Sequence, residues 1–205
     1  MDQWKPALPS GYSHVAPGQI ANIVTCLEMT AKPPARPVRP LPAGAALQRR
    51  GAADLAAYRD LFRRVGEEWM WFSRLVMPED QLRRILEDER VELYFLVHDG
   101  APTGLLELDF RAEGQCELAF FGLVREAIGQ GAGRYLMDQA ITRAWARPIR
   151  RFWVHTCSFD HPGAVDFYRR SGFRPYAFGV EVADDPRLTG HLPRSAAPHV
   201  ALIEP

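Results

Sequence analysis

Gly129, Gln130, Gly131, Ala132, Gly133 and Arg134 place a small, permissive backbone directly ahead of the helical run Tyr135, Leu136 and Met137. The peptide N–H groups of a helix's first turn have no partner inside the helix, and glycine lets an anion reach them with no side chain in the way. The apolar segment Leu118, Ala119, Phe120, Phe121, Gly122, Leu123 and Val124 comes just before. The spacing therefore predicts strand, loop and helix, with a phosphate held at the junction. A tight connection without a ligand would use the same glycines. The Gly, Lys, Ser/Thr ending of a P-loop is absent, and the full dinucleotide fingerprint is not met in its early strand context, which argues against ATP and NAD.

Other side chains point to chemistry less sharply. Glu107 and Glu117 fall on strands expected near the centre of a sheet, where a charged side chain is unusual. Each is a candidate proton acceptor or simply points outward. His155, Cys157 and His161 are of the type that ligates zinc. However, His155 and Cys157 share a strand face, His161 lies across a turn and no fourth ligand is specified, so no metal site is expected. A histidine nearby in sequence does not make Cys157 a nucleophile.

A sheet flanked by helices must position these groups. Met1 to Gln19, with Pro6, Pro9, Gly11, Pro17 and Gly18, reads as an arm on the surface. Ile20 to Met29 can hold a short strand, and Pro33, Pro34, Pro37, Pro40 and Pro42 then oppose regular structure until about Ala46. Leu47 begins a short strand, and Leu55, Tyr58, Leu61 and Phe62 fall on one side of a helix over Ala52 to Arg64. Pro78, Glu79 and Asp80 start a second helix, with anions near its positive end and Leu82, Ile85 and Leu86 as its buried stripe.

Val91 to His98, Thr103 to Phe110 and Cys116 to Val124, joined at Asp99, Gly100 and Gly114, read as a three-strand antiparallel meander. A helix over Gly131 to Trp145, a strand over Arg151 to Cys157, a helix over Pro162 to Ser171 stopped by Gly172, and a strand over Tyr176 to Val182 follow.

The 205 residues suit one domain with extensions. Lys plus Arg and Asp plus Glu are each 25, a formal net charge of zero, so no bulk pull toward nucleic acid or anionic lipid is expected. Cys26, Cys116 and Cys157 are too few for a disulfide framework and the start lacks the order of a secretion signal, so a reducing cytoplasm fits. No apolar run reaches membrane-spanning length. The meander and exposed aromatics can build a homodimer interface, but nothing sets its symmetry.

At these motifs the chain resembles the GNAT superfamily of N-acetyltransferases, over most of Leu47 to Val182. That family's cofactor signature runs Gln or Arg, two variable residues, Gly, one variable residue, then Gly or Ala. Ile128, Gly129, Gln130, Gly131, Ala132 and Gly133 occupy that stretch, with Ile128 departing at its first position. A second resemblance covers His155 through Tyr168, followed by Gly172 and Phe173. His161 stands where many members have Asn, and Tyr168 matches the commonly catalytic tyrosine.

The resemblance implies acetyl-coenzyme A as acyl donor, with its pyrophosphate on the backbone of Gln130 through Arg134 and its pantetheine in an opening between two parallel strands, here around Leu118 to Val124 and Trp153 to Cys157. It also implies direct attack by an amine on the thioester, a backbone N–H near Phe121 to Leu123 facing the charged oxygen, and Tyr168 donating a proton to the departing thiolate. Glu117, slightly ahead of Glu107, would receive the amine's proton. Trp69, Trp71 and Phe72 would line the acceptor entrance, or pack as core, and Glu67 and Glu68 could attract the amine.

The reading is an α+β, GNAT-like fold with a mixed, mostly antiparallel sheet flanked by helices. Residues 1–45 form an N-terminal extension with a proline-rich linker, 46–183 the acetyltransferase domain, and 184–205 a C-terminal extension on or near it. The expected function is acetyl-coenzyme-A-dependent N-acetyl transfer to a primary amine of a small molecule or peptide. A nonenzymatic acyl-coenzyme-A sensor is the alternative.

Overall fold

Along the chain the elements are β1 (Gln19–Met29), β2 (Ala45–Arg50), α1 (Leu55–Gly66), α2 (Ser73–Val76), α3 (Glu79–Glu87), β3 (Val91–His98), β4 (Ala101–Asp109), β5 (Gln115–Leu123), α4 (Ala132–Ala144), β6 (Arg151–Cys157), α5 (Ala164–Ser171) and β7 (Arg174–Asp184). The computed structural model describes residues 8–34, 37, 40–41 and 43–205. The start of the expected arm, including Pro6, and linker positions 35, 36, 38, 39 and 42, the last being Pro42, lie outside the described residues.

β3 is buried along nearly its whole length because both its faces are covered. Alternation sends Leu93, Phe95 and Val97 to one side and Tyr94 and Leu96 to the other. The first side packs on Tyr58, Leu61, Phe62 and Val65 of α1 and Leu82 and Leu86 of α3. The second packs on Leu136, Met137, Ala140 and Ala144 of α4 and Tyr168 of α5. For α1 and α3 these are the stripes expected from helical spacing, with Ile85 only half-buried. Asp99 and Gly100 take φ of 48° and 82°, the left-handed pair that a two-residue hairpin requires between β3 and β4.

The sheet order is β2-β3-β4-β5-β6-β1-β7. Every pairing is antiparallel except β5 with β6, which gives the expected α+β architecture. β1 does more than an extension would: it is an inner strand, pairing with β6 from Val24↔Cys157 to Met29↔Phe152 and with β7 from Gln19↔Asp184 to Glu28↔Arg174. β7 therefore runs past the Tyr176 to Val182 read from its own residues, since β1 offers backbone partners as far as Gln19.

After β7 the chain folds back. Leu192, Ala196 and Ala197 are buried with Ile20 and Met70. Arg187 is enclosed: Nε and Nη2 donate to Asp185 Oδ1 and Oδ2 at 3.0 and 2.7 Å, and the guanidinium also donates to the carbonyls of Val200 at 2.8 Å and Ala201 at 3.1 Å. Among the described residues, no helix is long and apolar enough to cross a membrane.

Candidate active site

β5 and β6 part company early. They pair at Gln115↔Arg151, Cys116↔Phe152 and Glu117↔Trp153 and no further. Beyond Glu117 the register with β4 jumps from Leu108↔Leu118 to Glu107↔Phe120, a bulge that leaves Ala119 unopposed and bends β5 away. β6 stays with β1 through Cys157. Peptide groups of β5 that face the gap lose their strand partner, and a cavity of ≈ 1270 Å³ occupies the opening.

The glycine turn stands at one end of this opening, and Ile128 and Gly133 line the cavity. Gly129 and Gly131 have φ of 86° and 84°, values that bulky side chains avoid. Gly131 caps α4, no side chain caps the helix in its place, and the space where a Cβ would sit is open at Gly129 and Gly131. The Gln130 side chain donates to the Glu126 carbonyl at 3.0 Å, and Arg134 Nε lies 3.4 Å from Asp138. The cradle is thus backbone, as anion binding at a helix N-terminus requires.

Tyr168 lies across the gap from the turn's strand, 7% exposed, its ring 6.4 Å from Phe121 and 5.8 Å from Phe173, and it lines the cavity. Its hydroxyl has no hydrogen-bond partner among the described residues. Burial, with Asp160 adding to it, raises the phenol well above its usual value, so it keeps its proton at neutral pH.

Register puts Glu117, Trp153 and His155 on one sheet face, that of α1 and α2, and all three line the cavity. His155 Nδ1 is 3.6 Å from Glu117 Oε1. The Glu117 carboxylate raises this imidazole above its ordinary value; burial opposes the shift, and Asp160 and Glu181 add to it. From the sequence His155 reads as a packing, hydrogen-bonding or pocket-lining residue ahead of a metal ligand, and the structure places it in the cavity lining beside Glu117. The alternation of Arg151, Trp153, His155 and Cys157 against the buried Phe152, Val154 and Thr156 was the available signal.

Glu107 is elsewhere. It is fully buried, accepts from Tyr58 Oη at 2.7 Å and from the Arg74 guanidinium, and is not among the cavity-lining residues. Burial pushes its carboxyl up, against the pull of Arg74 and Tyr58. This geometry gives Glu107 a structural place under α1 and α2 rather than an open path to an acceptor. Val124 is also set apart: it is 2% exposed, packs with the α1 cluster, and donates its N–H to Thr103.

Trp69, Trp71, Phe72, Phe121, Gly122, Leu123 and His161 all reach the cavity. Trp71 Nε1 donates to Asp160 Oδ1 at 3.0 Å, while Asp160 Oδ2 accepts from Thr156 Oγ1 at 2.6 Å and the Cys157 N–H at 2.9 Å. Asp160, which sequence reading passed over, therefore ties the aromatic wall to the loop after β6. His161 Nδ1 accepts from the Gly163 N–H at 3.0 Å. Among the described residues, no three His, Cys, Asp or Glu side chains converge as a metal site would require.

Residues 56–173 match the family described as Acetyltransferase (GNAT) family. Among solved structures, a GCN5-related N-acetyltransferase from Sphaerobacter thermophilus is similar, with a TM-score of 0.62, 16% identity, and 83% of this chain and 53% of that one covered. A GCN5-related N-acetyltransferase from Kribbella flavida gives 0.55 at 21% identity, covering 84% and 63%. A tandem GNAT protein from the clavulanic acid biosynthesis pathway gives 0.60 at 18%, covering 87% and 62%. The chain thus spans from about half to less than two thirds of the length of these structures. Among curated proteins no match is found.

Proposed function

The chain belongs to the acetyltransferase (GNAT) family, and from that premise we propose that it moves an acetyl group from acetyl-coenzyme A to a primary amine of a small molecule or peptide. The observation that carries the reading is the parting of β5 and β6 after Glu117, which opens one cavity onto the glycine turn, Tyr168 and Glu117 with His155.

The residues fit the donor. The uncapped first turn of α4, from Gly131 to Arg134, would hold the pyrophosphate, and the gap beside Phe121, Gly122 and Leu123 would hold the pantetheine. Acetyl-coenzyme A supplies an electrophilic thioester carbonyl and a thiolate leaving group. N–H groups of β5 that face the gap donate to the oxygen that gathers charge. Tyr168, protonated in its buried site, donates to the departing sulfur.

The amine must arrive unprotonated, and the half-exposed His155 beside Glu117 takes its proton, with the carboxylate stabilising the imidazolium that forms. Burial pushes the Cys157 thiol up to about 11, so it is a thiol at neutral pH, which favours direct transfer over an acyl-cysteine route.

Two outcomes are expected. Gly131→Val forces a β-branched residue to φ 84° and crowds the cradle, so acetyl-coenzyme A binding should weaken about tenfold or more, as measured by calorimetry. Equal affinity would remove the turn from the donor site.

The second concerns pH. His155 must be neutral to accept a proton, and its pKa is raised. The acid limb of kcat/KM should therefore inflect above the ordinary imidazole value of about 6.5, with activity lost as pH falls through it. Glu117→Gln removes the largest cause of the shift and should move the limb to lower pH. A limb that stays put in this variant would exclude the pair as the proton acceptor.

A further inference from the structure

Met70 stands between Trp69 and Trp71 at φ 59°, a left-handed conformation that residues with side chains seldom adopt, and is only 4% exposed. The Trp71 N–H donates to the Gly66 carbonyl at 3.0 Å and closes this turn. Glycine would hold the backbone with less strain, so the side chain must do something else here. It is buried with Ile20, Leu192, Ala196 and Ala197, against the segment that follows β7.

That segment is fastened at two points. The enclosed Arg187 guanidinium binds Asp185 and the carbonyls of Val200 and Ala201. His199 Nε2 lies 3.1 Å from the Phe159 carbonyl oxygen, and its ring centroid is 5.9 Å from that of Trp69. The neighbouring Asp160 accepts the Trp71 indole N–H. The segment thus holds both ends of the aromatic wall, the turn at Met70 and the loop after β6. Leu192, Ala196, Ala197 and His199 do not themselves line the cavity.

We infer that residues 184–201 are a strap that sets the shape of the acceptor chamber, with Met70 as the positioning residue through which it fixes Trp69 and Trp71. The inference rests on reading the cavity as an acyl-transfer site. An amine whose body packs on the indoles depends on the strap, and one too small to reach them does not.

The test uses Met70→Gly, Leu192→Ala and Met70→Leu in the full chain. Melting curves confirm folding, and steady-state kinetics use phenethylamine and methylamine as acceptors. Acrylamide quenching of tryptophan fluorescence, read as the change from the unaltered chain so that Trp4, Trp145 and Trp153 form a common background, reports the wall. Met70→Gly and Leu192→Ala should raise quenching and raise the phenethylamine KM about tenfold, the loss of one packed anchor. The kcat, the acetyl-coenzyme A KM and the methylamine KM should be unchanged. Met70→Leu keeps an apolar anchor and should match the unaltered chain.

Unchanged quenching in both truncating variants overturns the inference, as does raised quenching with an unmoved phenethylamine KM. If the unaltered chain acetylates neither amine nor any other, the transferase reading fails. The strap's hold on the indoles is then decided by the quenching alone.

Discussion

Tyr168→Phe should lower kcat about 100-fold while leaving the acetyl-coenzyme A affinity and the melting temperature nearly unchanged, the usual size of a lost general acid. The argument is one of placement and protonation. The ring packs among Phe121, Phe167 and Phe173, with centroids 6.4, 5.8 and 5.8 Å away. Its hydroxyl has no hydrogen-bond partner among the described residues, and Tyr168 lines the cavity. Removing one oxygen therefore costs no internal hydrogen bond, and phenylalanine fills the same packing space. The raised phenol pKa keeps the proton available throughout the neutral range. Steady-state kinetics beside calorimetry separate the two effects. Unaltered turnover would remove the proton-donor role and hand it to solvent or to another acid.

The largest loss of stability is expected from Arg74→Ala. Arg74 and Glu107 form an ion pair with side chains 8% and 0% exposed, and Tyr58 supplies the carboxylate's second hydrogen bond. Removing the guanidinium strands a buried carboxylate, which should cost about 3–5 kcal/mol. For a domain of this size that lowers the melting temperature by about 10 °C. A triple change, Arg74→Met with Glu107→Leu and Tyr58→Phe, should recover most of the loss, since apolar groups of similar volume replace a buried pair at little cost. A loss below about 1 kcal/mol on Arg74→Ala would mean that water reaches the pair. Arg74 also lies 5.0 Å over the Phe120 ring and lines the cavity, so the buried pair braces the cavity wall as well as the core.

Helical spacing and alternation made the local elements legible. Pro78, Glu79 and Asp80 mark the true start of α3, Gly172 stops α5 at φ 110°, and the residues of β6 are those read from the sequence. Pairing over long separations was not legible. Ile20, Asn22, Val24 and Cys26 announce a strand, but nothing near them names partners at Cys157 and Glu181. The bulge at Ala119 is equally silent, because a one-residue register slip leaves no mark on composition.

The candidate site divides in the same way. The glycine turn and Tyr168 follow from local pattern and resemblance. Separating Glu117 from Glu107 needs the other elements: two buried donors, Tyr58 and Arg74, claim Glu107, whereas β6 brings His155 to Glu117. The aromatic wall was visible as Trp69, Trp71 and Phe72. Its anchor in Asp160 and in the C-terminal segment was not, since those contacts span up to 130 residues, between Trp69 and His199.

The most direct test of acyl transfer in this cavity is release of coenzyme A thiol from acetyl-coenzyme A across a panel of primary amines and peptides, with the acceptors analysed by mass spectrometry beside a no-acceptor control. Thiol release that requires an acceptor, matched by its N-acetylated product and lost on Tyr168→Phe, is the predicted result. Tight binding of acetyl-coenzyme A with no acetylated product from any acceptor would contradict it and favour an acyl-coenzyme-A sensor.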